Sequence, residues 1–345
     1  MKLRHLLLPA VFALFTSPAF AASPLMEDAR AMFEPIPQDP PALPGNPASA
    51  EKVTLGKALY FDPRLSASQT ISCNSCHGVG MGGVDMVETS TGHRGLKGLR
   101  NSPTVLNAVF NFVQFWDGRS PDLEDQAGGP MINPVEMAST HENVVKTLQS
   151  IPGYAPMFAA AFPDQNEPIN IDNVKKAIAV FEASLITPNA PFDLYLAGDE
   201  ESLSAEQKEG LQLFMDNGCT ACHSGRNIGG QMYSAFGMVE DPSEDVYPSV
   251  DKGRYDITGD DMDLNVFKVP TLRNIVLTLP YFHAGTVWDL GEAVDIMARS
   301  QMGIELSEQE IDRIVAFLGS LTGEQPQITY PVLPPSVADT PRPKP

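Results

Sequence analysis

The chain has 345 residues, enough for two domains, and carries 23 basic against 43 acidic side chains for a formal net charge of −20. So acidic a protein lacks the basic surface that nucleic acid requires, which leaves a soluble exported protein or one that meets a basic protein partner. Its four cysteines fall as two close pairs, loops too short to staple a fold, which excludes a disulfide framework.

In chain order, residues 1–21 read as a secretory leader. Lys2 and Arg4 are followed by the apolar run Leu6–Phe15, broken by Pro9, and by Ala19-Phe20-Ala21, which places cleavage before Ala22. A membrane anchor is the alternative, but a span takes roughly 20 apolar residues, and neither this run nor any later one is long enough. The expectation is an exported, periplasmic protein without a membrane span. Residues 22–48 hold Pro35, Pro37, Pro40, Pro41, Pro44 and Pro47 and read as an extended arm. Helical patterns run from Asn173 to Leu185 and, past a Pro-containing linker at Thr187–Pro191, from Ser204 to Met215. Ser204-Ala-Glu-Gln207 and Ser307-Glu-Gln-Glu310 fit capping boxes. After the second, Ile311, Ile314, Val315 and Leu318 recur at helical spacing. Strand alternation is scarce, and 27 glycines and 31 prolines point to long ordered loops. The tail, residues 326–345, is again proline-rich and reads as extended.

The chemistry sits in Cys73-Asn-Ser-Cys76-His77 and Cys219-Thr-Ala-Cys222-His223. Two thiols two residues apart can each bond one vinyl-derived carbon of a porphyrin, and the adjacent histidine then lies under the iron. A redox dithiol and half a zinc site are the alternatives. Two copies, each closed by histidine, with no cysteine to spare, favour two c-type haems with His77 and His223 as proximal ligands. For the opposite side of each iron, neither the histidines that remain outside the leader, His93, His141 and His283, nor the 14 methionines can be ranked by type alone.

Several further blocks give the chain a specific likeness. They include Gly92-His93, Gly98-Leu-Arg-Asn101-Ser-Pro, Phe115-Trp-Asp-Gly118, Gln126-Ala-Gly-Gly-Pro130 and Glu136-Met137. In the second half come Phe236-Gly237, Asp251-Lys-Gly-Arg254, Leu272-Arg-Asn274, Pro280-Tyr-Phe-His-Ala-Gly285 and Ala293-Val-Asp-Ile-Met297. With these, the chain resembles the bacterial di-haem cytochrome c peroxidases over nearly its whole length. The resemblance implies a mainly α fold of two cytochrome c-like domains. The first, 49–187, would be peroxidatic and of low potential; the second, 188–325, would transfer electrons at high potential. It implies His93 as a resting ligand that swings off the first iron, and Glu136 and Gln126 as the groups facing peroxide. Trp116 would stand between the haems and Met297 would ligate the second iron. Met302 is close enough to be its rival, and relatives that oxidise a protein tryptophan carry tyrosine at this place. His283 would lie near the domain interface. The resemblance further implies one calcium held by Asn101, Thr278 and Pro280, hydrogen peroxide as substrate, a small cytochrome c or copper protein as donor, and a homodimer. A non-catalytic di-haem electron carrier and an oxidase of a protein substrate are the competing functions.

Overall fold

A computed structural model describes residues 22–344, so the leader lies outside the described residues. The architecture is helical, with one short antiparallel pair, Tyr233–Ala235 against Val266–Lys268. Among the described residues no helix is long and apolar enough to cross a membrane.

Two helix crossings organise the two halves. In the first, Ala50–Phe61 crosses Ile171–Ala183. Ser49 caps the one by accepting from the Lys52 N–H at 3.1 Å, and Asn170 caps the other by accepting from the Asn173 N–H at 2.9 Å. The Asn170 cap is why the second helix starts two residues earlier than the pattern Asn173–Leu185; it also ends two residues earlier, at Ala183. In the other half, Ala205–Asp216 crosses Glu308–Gly319. Both expected capping boxes form. The Gln207 N–H donates to Ser204 Oγ at 3.1 Å while Gln207 Oε1 accepts from the Ser204 N–H at 2.9 Å. Ser307 and Glu310 pair in the same way.

A glycine sits at each crossing because nothing larger fits. A Cβ on Gly56 would lie 1.9 Å from Ala177 O and 2.9 Å from Phe181 Cβ. A Cβ on Gly210 would lie 1.9 Å from Arg313 O and 2.9 Å from Phe317 Cβ. The halves are therefore one design used twice, with Phe181 and Phe317 equivalent. Around the crossings lie two apolar clusters, one containing Leu55, Leu59, Val174 and Leu185, the other Leu211, Phe214, Ile314 and Leu321.

A second repeat was not anticipated. Pro103-Thr-Val-Leu-Asn107 and Pro270-Thr-Leu-Arg-Asn274 fold alike. In each, the threonine Oγ1 accepts from the backbone N–H two residues on, at 3.1 Å, and the asparagine is left-handed with φ of 59° and 60°. Both asparagine amides donate to the Thr187 hydroxyl, at 2.7 and 3.0 Å, and all three residues are buried. The segment linking the halves is thus fastened to both.

The ends of the chain cross over. Residues 22–48 do not form an arm extended throughout. Ser23 caps, Pro24 occupies the first turn, and Pro24–Met32 is a helix whose Met26 and Ala29 enter the second half's cluster. The short apolar spacing was hidden by the prolines that follow it. The tail is irregular, as expected, and runs back over the first half. Pro334 O accepts from Arg64 Nη1 at 2.7 Å, Ala67 O accepts from the Lys344 N–H at 2.7 Å, and Tyr330 meets Phe61 edge-on at 4.9 Å.

Candidate functional site

Each half encloses a cavity against its Cys-x-x-Cys-His segment. Cys73–Cys76 forms one helical turn, and the His77 N–H donates to Cys73 O at 2.9 Å, which carries the histidine round to the thiols' side. Cys219–Ala221 makes the same turn, with the His223 N–H donating to Cys219 O at 2.9 Å. All four cysteines are unpaired. His77 Nδ1–H donates to Pro103 O at 3.0 Å, and His223 Nδ1–H to Ile228 O at 3.2 Å. A carbonyl on Nδ1 fixes each ring as the tautomer whose Nε2 lone pair is left for a metal. Burial lowers the proton affinity of both rings, His223 to about 4. Burial also raises the Cys73 thiol and pushes Cys219 to about 11, the reverse of what a redox dithiol needs. Among the described residues no group of three or more His, Cys, Asp and Glu is arranged to hold a bare metal ion, against a zinc site. A neutral, oriented histidine and two thiols at the wall of an enclosed space fit a covalently held haem, in both halves.

The rest of each wall differs. The first cavity is lined by Cys73, Cys76 and His77, and by Gln126, Glu136, Arg119 and Glu182. Gln126 comes from the helix Leu123–Ile132, started by Asp122, and Glu136 from the loop that follows it. Glu136 Oε1 accepts from Asn133 Nδ2 at 2.7 Å, which leaves Oε2. Burial raises its carboxyl, opposed by the Arg119 charge and the Asn133 bond. Arg119 is held by Asp117 at 2.8 Å and lies over the Phe115 ring, 3.4 Å from its centroid. His93 is buried with Nδ1 unpartnered, but it is not among the residues lining this cavity; its neighbour Gly92 is. The His93 N–H donates to Glu136 O at 2.8 Å, so the two loops are tied. Arg94 and Gly95 follow in left-handed conformations, φ 58° and 75°.

The second cavity is lined by Cys219, Cys222, His223 and Met297, with Phe214, Leu272 and Leu306 among the apolar remainder. Met297 ends the helix Leu290–Met297, where the chain widens into a π-turn over Ala298–Met302. Met302 also reaches this wall, but it is 41% exposed, whereas Met297 packs into the apolar cluster around Phe236 and Phe267.

Between the cavities stand Asn101, Trp116 and Lys268, which line both. Trp116 Nε1–H donates to Asn101 O at 2.9 Å, and Trp116 O accepts from the Lys268 N–H at 2.7 Å. His283 lies here as expected. Its ring stacks on Phe267 at 4.5 Å, its carbonyl accepts from the Asn101 N–H at 2.7 Å, and burial drives it to about 4. Arg100 crosses the interface to Asp251 at 2.7 Å and also holds Asp117 at 2.6 Å. Thr278 and Pro280 line the second cavity and not the first, and Asn101 lines both.

Arg119, Glu182 and Lys268 were missed in the sequence. Glu182 had a signal: it interrupts the apolar face Val174, Ala177, Ile178, Phe181 and Leu185. Lys268 had one too, as the lone charge in Val266-Phe-Lys-Val-Pro270. Arg119 had none.

Residues 50–201 match the family model described as di-haem cytochrome c peroxidase, and residues 207–322 match cytochrome c. The chain is 53% identical to cytochrome c551 peroxidase of Pseudomonas aeruginosa over 95% of both chains. It is 49% identical to the protein of the same name from Nitrosomonas europaea, over 87% of this chain and 88% of that one. A MauG-like protein associated with microbial copper homeostasis superposes with a TM-score of 0.74 at 30% identity, over 84% of this chain and 95% of the other. With two histidine-closed cysteine pairs facing separate cavities across a shared tryptophan, the chain belongs to the di-haem cytochrome c peroxidase family.

Proposed function

We propose that the protein reduces hydrogen peroxide to two waters, taking two protons from solvent and two electrons from a small exported cytochrome c or copper protein. The observation that carries this is the inequality of the two cavities. One has a buried acid and an amide in its wall; the other has a thioether among apolar side chains. Each haem, when bound, supplies an iron that accepts and passes single electrons.

The first cavity, within residues 49–187, is the peroxide site. Gln126 orients peroxide through its amide. Glu136, with Oε1 held by Asn133, uses Oε2 to take the proton from the peroxide oxygen nearer the iron. It delivers that proton to the departing oxygen. Its raised proton affinity suits a group that must both take and give. His93 would hold the resting haem and yield to peroxide; in this structure it lies outside the cavity lining, and the left-handed Arg94 and Gly95 behind it give its loop a place to turn. The second cavity, within residues 188–325, receives electrons. Met297 and His223, which line this cavity together, would hold the haem there, a thioether ligand would favour a high potential, and Trp116 would stand on the route inward. Calcium at Asn101, Thr278 and Pro280 completes the reading. The Asn101 amide donates to Val87 O and Glu88 O, so its Oδ1 is free for a hard cation, with two backbone carbonyls as partners. Export to the periplasm after cleavage before Ala22, and homodimeric assembly, belong to the same proposal.

Stopped-flow mixing of the half-reduced, calcium-loaded protein with peroxide is the test. Turnover is expected with a small reduced donor, and its absence with every such donor sinks the peroxidase reading in favour of an electron carrier. Glu136→Gln is expected to slow peroxide cleavage by about 10²–10⁴-fold with both haems retained. An unchanged rate removes Glu136 from the chemistry.

A further inference from the structure

The wall common to both cavities contains a buried lysine, Lys268, whose ammonium has no bonded partner among the described residues. Lys268 is the last residue of the strand Val266–Lys268. It is fixed by pairing with Tyr233 and by its N–H donation to Trp116 O. It is 5% exposed, and among the described residues no acceptor lies within hydrogen-bonding distance of its Nζ. Burial lowers its ammonium to about 8, against the opposing pull of Asp117. A lone buried cation costs several kcal/mol and persists only where something compensates it.

The neighbouring carboxylates do not. Asp117 is already shared by Arg100 at 2.6 Å and Arg119 at 2.8 Å, and Asp251 is taken by Arg100 at 2.7 Å. His283, beside Asp251, is driven to the neutral form. Asp256 reaches Arg100 at 3.9 Å and Glu136 faces Arg119, so among the described residues these carboxylates are spent on arginines and the Lys268 ammonium, which lines both cavities, is left without a bonded partner. A haem carries two carboxylate side chains of its own. Fixed by thioethers at its opposite edge, it has these to offer to a cation deep in the wall.

We propose that Lys268 is the shared counter-ion of haem carboxylates from both cavities, placed where the two groups come nearest, beside Trp116. This rests on the reading that each cavity holds a haem. Lys268 is a positioning residue: it touches neither peroxide nor iron. Its fixed positive charge favours the reduced form of each haem, since reduction lowers the charge beside it.

The test is optical redox titration of the two-haem protein carrying Lys268→Met, a change of similar length that removes a buried charge at no packing cost. Both midpoint potentials are expected to fall, each by at least tenfold in its one-electron equilibrium, about 59 mV. Lys268→Arg should keep both within threefold of the parent. Unchanged potentials in the Met variant, or a fall at one haem alone, overturn the shared counter-ion. Should the Met variant not accumulate, Lys268→Gln is read by the same criterion. The haem count of the parent protein is taken first by pyridine haemochrome spectrum. Fewer than two haems would refute the reading of the cavities and the shared counter-ion with it, whereas two haems with unmoved potentials would refute the role of the lysine alone.

Discussion

At the scale of single residues, the doubled design makes substitutions legible. Phe181 and Phe317 are equivalent at their crossings, so the residues after them, Glu182 and Leu318, are equivalent too. Both are buried and both line a cavity. The second half uses leucine there, whereas the first uses a carboxyl with Oε2 unpartnered, which burial alone pushes to about 8. The sign of its effect on stability follows. Between about 4.5, its ordinary value, and 8, the folded chain keeps a proton that the unfolded chain has released. Stability is therefore full at acid pH and falls as pH rises through this window, by up to about 1.4 kcal/mol per unit. Glu182→Leu should flatten that slope, and denaturant melts of the haem-loaded protein at pH 5 and pH 8 measure it. Parallel slopes for parent and variant would show that the proton resides elsewhere. No pattern of spacing could have given Glu136 its role. In the sequence it is one of 43 acidic residues. Its surroundings are assembled from Asn133 nearby and Arg119 further back along the chain, contacts that only the fold creates.

At the scale of elements, the helices were readable because their signals are local. The capping boxes at Ser204 and Ser307 and the apolar spacing after them are written within a dozen residues. What the crossings demand is not local. Gly56 and Gly210 each look like a weak point in a helix, yet each marks where another backbone passes too close for a methyl group. Gly56→Ala and Gly210→Ala should each cost about 3 kcal/mol by overpacking, each loosening its own half. Guanidinium unfolding followed at the two haem bands resolves this. If alanine is tolerated at both positions with no loss of midpoint, the close crossing is not what selects glycine. The repeated Pro-Thr-x-x-Asn segments escaped notice for a different reason: five residues with three matches carry little weight until both asparagines are seen to meet at Thr187.

At the scale of the whole molecule, the two ends are exchanged. The helix Pro24–Met32 is built into the second half, and residues 326–344 lie across the first. Composition announced the prolines but not their destination, since an extended chain makes its contacts wherever the rest of the fold carries it. Removing residues 326–345 should leave the second half intact and weaken the first. Native-state hydrogen exchange is expected to speed up in Ala50–Phe61 and to stay unchanged in Ala205–Asp216. Equal acceleration in both helices would mean that the halves open together and the tail is not specific to one. The exchange of ends also sets an order of assembly. A chain emerges from the ribosome with its amino end leading. The half built on Ala50–Phe61 leads, but residues 326–344, which lie across it, come after the whole of the other half. That half can gather its helices early, yet residues 326–344 reach it only after the half that follows has been made, whereas the helix that covers the second half, Pro24–Met32, is made before either.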